Sequence, residues 1–555
     1  MAAHYLLQQQ GQPVTTASAQ KAQGGVQTVR RVITYLLLFV MVVIAAIGLS
    51  GLIHRLLDAP STLVAGDTSG LAQSLAFSLI AGPLAAVLWW LVWRGSANQR
   101  DRASVAWALY LALMYTVSLL TFAIALLSCA AALVRGDWRP SALATGVVWA
   151  LVWLWHRWML HHTSKRPTRL VGVAGAIGSL IGLVIAVGGT VTALGRLLDA
   201  AIASFGNAAI VDGPLWEFTL QPLVWVVGGG LIWWWHWMRD GVREQRTRFS
   251  SVLLVFITGF GSLALCLYGI ATTLYVALRI LVTRQDPLGV ILDPLGQAIA
   301  AAVIGALVLV YHRRVVTAGP DAVRQATRLV TSGVALAVAA SGIGVIVNSI
   351  LAAITMPLAE TGIRPLLLGG ISALVVSGPV WWVSWKPTTA SDAGRISTPG
   401  RRVYLVVIFG ISAIVALITL LVIGYQIFSF ALDSSTGDSL LERTRAALGL
   451  LTATVLVAAY HFALWRKDRA SAVSAPAKPL TIEQVILVTG SDPEAFVSAI
   501  TESTGAHVTV WRRADADDSG PSVEQVVAAL DGVDAARVLL VTGSTARVEA
   551  IRLDG

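Results

Sequence analysis

Twelve apolar blocks, each about as long as a helix must be to cross the hydrocarbon core of a bilayer, leave this chain few folds to choose from. They lie near 32–53, 71–93, 104–134, 141–160, 170–195, 218–238, 250–282, 295–312, 327–355, 364–385, 403–432 and 446–465. A spanning helix needs about 20 predominantly apolar residues. In lipid, every backbone N–H and C=O must also be satisfied inside the protein, which a helix does along its own length. Composition agrees, since 56% of the 555 residues are hydrophobic and only 13% charged, about half the charge of a soluble domain. The expected fold is an all-α polytopic membrane bundle of about 12 helices, followed by a small C-terminal α/β domain.

Charge orients the helices. The N-terminal tail, the even-numbered loops and the segment after the last helix hold 26 Lys+Arg, whereas the odd-numbered loops hold 9 alongside 12 acids. Basic loops stay cytoplasmic, so both termini are expected there. Most of the twenty Trp stand at the ends of even-numbered helices, where an indole keeps its ring in lipid and its N–H in water. The net charge of +10 divides into +17 over residues 1–480 and −7 over residues 481–555. The positive excess lies in short loops between apolar blocks, which topology and anionic headgroups explain, so the bilayer and not nucleic acid is the expected partner. Cys129 and Cys266 both sit inside apolar blocks and make no disulfide framework or CxxC metal pair. Residues 1–28 are polar and read as a disordered cytoplasmic tail before an uncleaved first helix.

The chain also repeats itself. Helices 2, 6 and 10 end in W-W-x-x-W, at Trp89, Trp90 and Trp93, at Trp233, Trp234 and Trp237, and at Trp381, Trp382 and Trp385. Helices 4, 8 and 12 end in L-V-x-x-aromatic-His, as LVWLWH at 151–156, LVLVYH at 307–312 and LVAAYH at 456–461. The ends of helices 1 and 5 share R-L-L-D-A, at 55–59 and 196–200. Two motifs recurring in one order define three tandem four-helix units, 29–163, 167–316 and 322–467. Four crossings return each unit to the side it started from, so the copies are parallel repeats and a pseudo-threefold bundle is expected. Small-residue faces such as Gly178-x-x-x-Gly182 and Gly228-Gly229-Gly230 would let helices approach closely.

On these residues, the Arg-Arg entry to a long first helix, the Trp-rich helix ends and the four-span unit, the chain resembles a bacterial membrane domain of unknown function found in tandem copies. The resemblance covers residues 29–467. It implies a protein of the bacterial plasma (inner) membrane and brings no catalytic residues with it. The third unit departs from the pattern at R-L-L-D-A, having NSILA from Asn348.

Chemistry at membrane depth usually shows as ionisable side chains there, because an unused charge is costly. No Asp, Glu, Lys or Arg stands near the centre of a span, and the mid-span polar residues are neutral, among them Tyr115, Gln297, Asn348 and Gln426. No enzymatic activity and no cofactor are therefore expected. His156, His312 and His461 hold one position in the three units. Around a shared axis three imidazoles would ligate a metal such as zinc, which takes three His plus water. At helix ends beside arginine the preferred reading of the same residues is as interfacial anchors. Lys165, Arg166 and Arg169, with Arg313 and Arg314, form basic clusters suited to anionic lipid headgroups.

After an Ala/Pro/Ser linker at 470–480, residues 481–555 read as strands and helices in the order βαβαββ. LVTGS occurs at 487–491 and 540–544, after a strand each time. Such a turn could offer backbone N–H groups to a phosphate, yet it lacks dinucleotide or P-loop glycine spacing, so the preferred reading is a plain strand-to-turn signal. The expectation for the whole is a non-enzymatic membrane anchor, scaffold or regulator carrying a cytoplasmic module for a protein partner. The rival is a transporter or channel for a neutral or hydrophobic solute.

Overall fold

The computed structural model describes residues 14–58, 68–95, 99–205, 215–244, 247–282, 286–355, 362–389, 399–432, 439–474, 482–513, 520–533, 535–543 and 548–553. Each apolar block is helical. In chain order the long helices are α1 (Val14–Leu57), α2 (Thr68–Gly95), α3 (Val105–Leu133), α4 (Pro140–His161), α5 (Val173–Phe205) and α6 (Leu215–Trp234). They continue with α7 (Arg248–Val282), α8 (Leu295–Thr317), α9 (Asp321–Thr355), α10 (Ile363–Thr389), α11 (Pro399–Leu432) and α12 (Leu440–Ser474).

Ten helices among the described residues are long and apolar enough to cross a membrane, and α4 and α6 are not among them. Both are the required length, at 22 and 20 residues. Their composition is what differs. Helix α4 ends in LVWLWHRW, and α6 carries Gln221 and Pro222 before its Trp pair, so polar N–H and amide groups lower the mean hydropathy.

Residues 14–28, expected to be disordered, instead extend α1 toward the N-terminus, while residues 1–13 lie outside the described residues. Residues 14–28 hold no proline, and although Gly24 and Gly25 weaken a helix, the apolar part of α1 supplies a formed helix to propagate from. Residues 470–474 of the expected linker complete α12, and 475–480 lie outside the described residues.

The chain divides into two units, Met1–Leu464 and Trp465–Gly555. Within the first, α3 packs on α4, α5 on α6, α7 on α8 and α9 on α10. The crossings are close because glycines stand at them. A Cβ on Gly182 would meet the backbone of Trp233, and one on Gly229 the backbone of Ala186, so α5 and α6 touch main chain to main chain. Gly269 faces Ala302, and Gly305 faces Cys266, in the same way between α7 and α8.

The four-helix segments join in series. Helix α3 packs against α5 and α6 of the next segment, and α7 against α9 and α10 of the one after. No comparable packing joins the first segment to the third among the described residues. The closed pseudo-threefold arrangement expected from the repeat is therefore not what is seen. The joining face is a third helix on one side and a first-and-second pair on the other, which adds segments head to tail.

The second unit holds strands β1 (Gln484–Thr489), β2 (His507–Arg512), β3 (Arg537–Thr542) and β4 (Val548–Leu553), with α13 (Pro493–Thr504) after β1 and α14 (Val523–Ala528) after β2. The sheet order is β2-β1-β3-β4, parallel except for the β3–β4 hairpin. Val485, Leu487, Val538 and Leu540 pack with Phe496, Ile500 and Val526 into its core. Asp515, Asp517 and Asp518, between β2 and α14, lie outside the described residues.

Candidate functional site

The repeated L-V-x-x-aromatic-His ends set one local geometry. Four residues back along the helix is a valine carbonyl, and the histidine Nδ1–H donates to it. The distances are 2.7 Å for His156 to Val152, 2.9 Å for His312 to Val308 and 2.8 Å for His461 to Val457. A carbonyl only accepts, so Nδ1 carries the proton and a neutral ring presents Nε2 as an acceptor. His236, at the end of α6, does the same to Ile232 at 2.7 Å.

What each Nε2 meets differs. The Tyr110 hydroxyl donates to His156 Nε2 at 3.1 Å, and the Tyr115 hydroxyl to His236 Nε2 at 2.6 Å. His312 Nε2 and His461 Nε2 are buried with no hydrogen-bond partner among the described residues. Tyr404 stands beside His461, ring centroids 5.9 Å apart, but its hydroxyl is shared with Ser332 at 3.1 Å. Indoles close the cages: Trp89 on His156, Trp237 on His312 and Trp385 on His461, at 5.9, 5.5 and 5.9 Å. Trp237 Nε1 donates to the Tyr311 hydroxyl at 2.9 Å and Trp385 Nε1 to that of Tyr460 at 2.8 Å. The first segment has Trp155 in the tyrosine's place, 6.2 Å from Trp93.

The structure does not bring His156, His312 and His461 together. Each is enclosed by aromatic rings of its own segment, and among the described residues no three His, Cys, Asp or Glu side chains are grouped to hold a metal ion. In a series of segments there is no common axis on which they would meet.

Of the five basic residues suited to headgroups, Arg166, Arg169, Arg313 and Arg314 are exposed and Lys165 is buried. Lys165 Nζ donates to the Trp93 carbonyl and lies 4.7 Å over the Trp93 ring. Burial pulls its ammonium below the ordinary lysine range. Its carbonyl accepts from Trp107 Nε1 at 3.0 Å, and the Arg166 carbonyl accepts from Arg102 Nε at 3.1 Å. These bonds tie the loop after α4 to the ends of α2 and α3.

One junction carries no repeat signature and was not legible as a site. Arg157 grips Asp240 with two bonds, at 3.1 and 3.2 Å, from α4 of the first segment to the turn after α6 of the second. Their side chains are 20% and 17% exposed, and Arg157 also lies 5.1 Å over Trp235. The turn is a π-helical stretch, Trp235–Arg239, which places His236 toward Tyr115 and Asp240 toward Arg157. Mid-span Asn348 likewise accepts from Arg445 at 3.1 Å.

In the second unit, the LVTGS turn at 487–491 uses its own groups. The Ser491 N–H donates to Thr489 Oγ1 at 3.2 Å, and Thr542 Oγ1 donates to the Val488 carbonyl at 3.3 Å. These bonds fit the plain-turn reading. Ser544 of the second copy lies outside the described residues.

The sequence profile of a domain of unknown function, DUF5671, matches residues 31–155, 174–260 and 325–460. No curated protein and no solved structure matches the chain.

Proposed function

The chain belongs to the DUF5671 family, and from that premise we propose that it is a non-catalytic membrane anchor whose helices hold a cytoplasmic interaction domain. In this reading all of α1–α12 cross a bacterial plasma membrane as three four-helix units, and both termini are cytoplasmic. The observation that carries it is how the bundle uses its polar groups. Arg157 with Asp240, Tyr115 with His236, Arg279 with Asp286 and Arg445 with Asn348 are committed to each other. Groups spent in this way fix helix against helix or, for Arg279, a helix end against its own loop, and catalysis or ion coupling would need them facing substrate. The residues 481–555 then supply the surface for a protein partner.

Proximity labelling in cells with the full chain, and with a chain ending at residue 474, tests this reading. One soluble protein should be labelled by the full chain and lost with the truncation. Labelling that is indifferent to residues 475–555 would overturn it. Carriage of a neutral or hydrophobic solute is the second reading, favoured by a cavity of about 920 Å³ between α7, α9 and α10 that Tyr268, Thr272 and Tyr275 help to line. Solute flux in proteoliposomes would distinguish the two.

A further inference from the structure

At the junction of the first two segments, α3, α5 and α6 frame an open crevice of about 640 Å³, within the size range of small-molecule sites. Its two ends differ in chemistry. Leu120, Ile124, Val184 and Ile185 line an apolar shaft, while Arg135, Arg139 and Arg196 gather at the other end. Arg135 and its neighbour Asp137 form a loose surface pair at 3.6 Å, and the next acid along α5, Asp199, turns to Gly296 of α8. Three guanidinium groups therefore share the mouth.

Two comparisons within the molecule show that this charge is particular to the place. The corresponding crevice between the second and third segments, at α7, α9 and α10, spans about 920 Å³ and is lined by no charged residue among the described residues. Along the whole chain, the odd-numbered loops and adjoining helix ends hold only 9 Lys+Arg. Three of these stand at one mouth, on the side where basic residues are otherwise depleted.

We propose that this crevice binds one anionic glycerophospholipid, with its phosphate among Arg135, Arg139 and Arg196 and an acyl chain in the shaft. Guanidinium groups match phosphate oxygens in planar, paired hydrogen bonds, which an ammonium does not do. An apolar shaft inside a bilayer favours hydrocarbon, and free phosphate has no use for it. The site requires only that these helices lie in a membrane, so it holds whether the bundle anchors or carries.

Gly188 provides the test. It lines the cavity, and a Cβ built on it meets nothing within 4 Å, so a leucine there enters the shaft without displacing a helix. Gly369 holds the same kind of position in the α7/α9/α10 cavity. The full chain in a neutral detergent is titrated with dioctanoyl phosphatidylglycerol, dioctanoyl phosphatidylcholine and inorganic phosphate, and binding is read by native mass spectrometry. Phosphatidylglycerol should bind at least tenfold more tightly than the other two. R135Q/R139Q/R196Q and Gly188→Leu should each lower that affinity tenfold or more, whereas Gly369→Leu leaves it unchanged. R139Q alone should give a partial loss. Equal binding of phosphate or phosphatidylcholine, or phosphatidylglycerol affinity indifferent to Gly188→Leu, overturns the proposal.

Discussion

His156 and His461 share a sequence motif and a back-bond, but only one of them is needed by a neighbour. Replacing His156 with Phe leaves the Tyr110 hydroxyl, 3% exposed, without its acceptor, at a cost of about 1–3 kcal/mol. Replacing His461 with Phe strands nothing, because its Nε2 has no partner and the Val457 carbonyl keeps its place in the helix ladder. H156F should therefore lower the thermal midpoint in detergent clearly more than H461F, and adding Tyr110→Phe to H156F should restore part of the loss. Equal effects of the two histidine changes would refute this account. Lys165 makes a second case. Lys165→Met removes a charged donor from the Trp93 carbonyl, and about 1.5–3 kcal/mol of stability should go with it. Retention on anionic vesicles should not change, whereas R166Q/R169Q/R313Q/R314Q should weaken it. The motif that repeats the histidines was plain in the sequence. Their surroundings were not, because the tyrosine serving His156 comes from another helix, 46 residues away, just as the one serving His236 comes from 121 residues away.

Glycines decide how the elements approach, and not every glycine in a Gly-rich run does so. Of Gly228-Gly229-Gly230, the first faces the Leu127 side chain, the second the Ala186 backbone, and the third nothing within 4 Å. Gly229→Val must push α5 and α6 apart and should cost at least about 1–3 kcal/mol. Gly230→Ala should be neutral or stabilising by up to about 1 kcal/mol, because it only removes backbone freedom. Unfolding titrations of the two variants in one detergent would check the contrast, and a Gly230→Ala chain as unstable as Gly229→Val would end the argument. Helix existence was legible because long apolar runs have one solution in lipid. The same holds for the small domain, where Val485 and Leu487 alternate with Ile486 and Val488 and Gly505, at φ +72°, closes α13. Strand order was not legible, since the alternation of β1 suits any neighbour. The start of α14 was better marked, because Ser522 and Gln525 form a capping box. Ser522→Ala should cost about 1 kcal/mol, read as faster hydrogen exchange in 523–528.

At the scale of the molecule, the repeat was visible as recurring helix ends, while the way its copies join was not. A shared motif states that units are alike, and the joining face depends on which helices pair, as α3 does with α5 and α6. The topology turns on the Trp-rich helices α4 and α6, since they alone among the twelve long helices fall outside the ten that are apolar enough to cross by composition. Trp belongs at the lipid–water boundary, so a low mean hydropathy at the end of such a helix is what an anchored crossing would show. If α4 crosses, its flanking loops lie on opposite faces. Asp137→Cys should then react with a membrane-impermeant maleimide in intact cells, and Ser164→Cys only after permeabilisation. The two native cysteines, Cys129 and Cys266, are buried and supply little background. The same contrast is expected across α6 between Asn207→Cys and Glu244→Cys. Should both members of a pair label from one side, that helix does not cross, and the 26-to-9 division of basic residues between the two faces loses its basis, because every later loop before the second such helix changes sides.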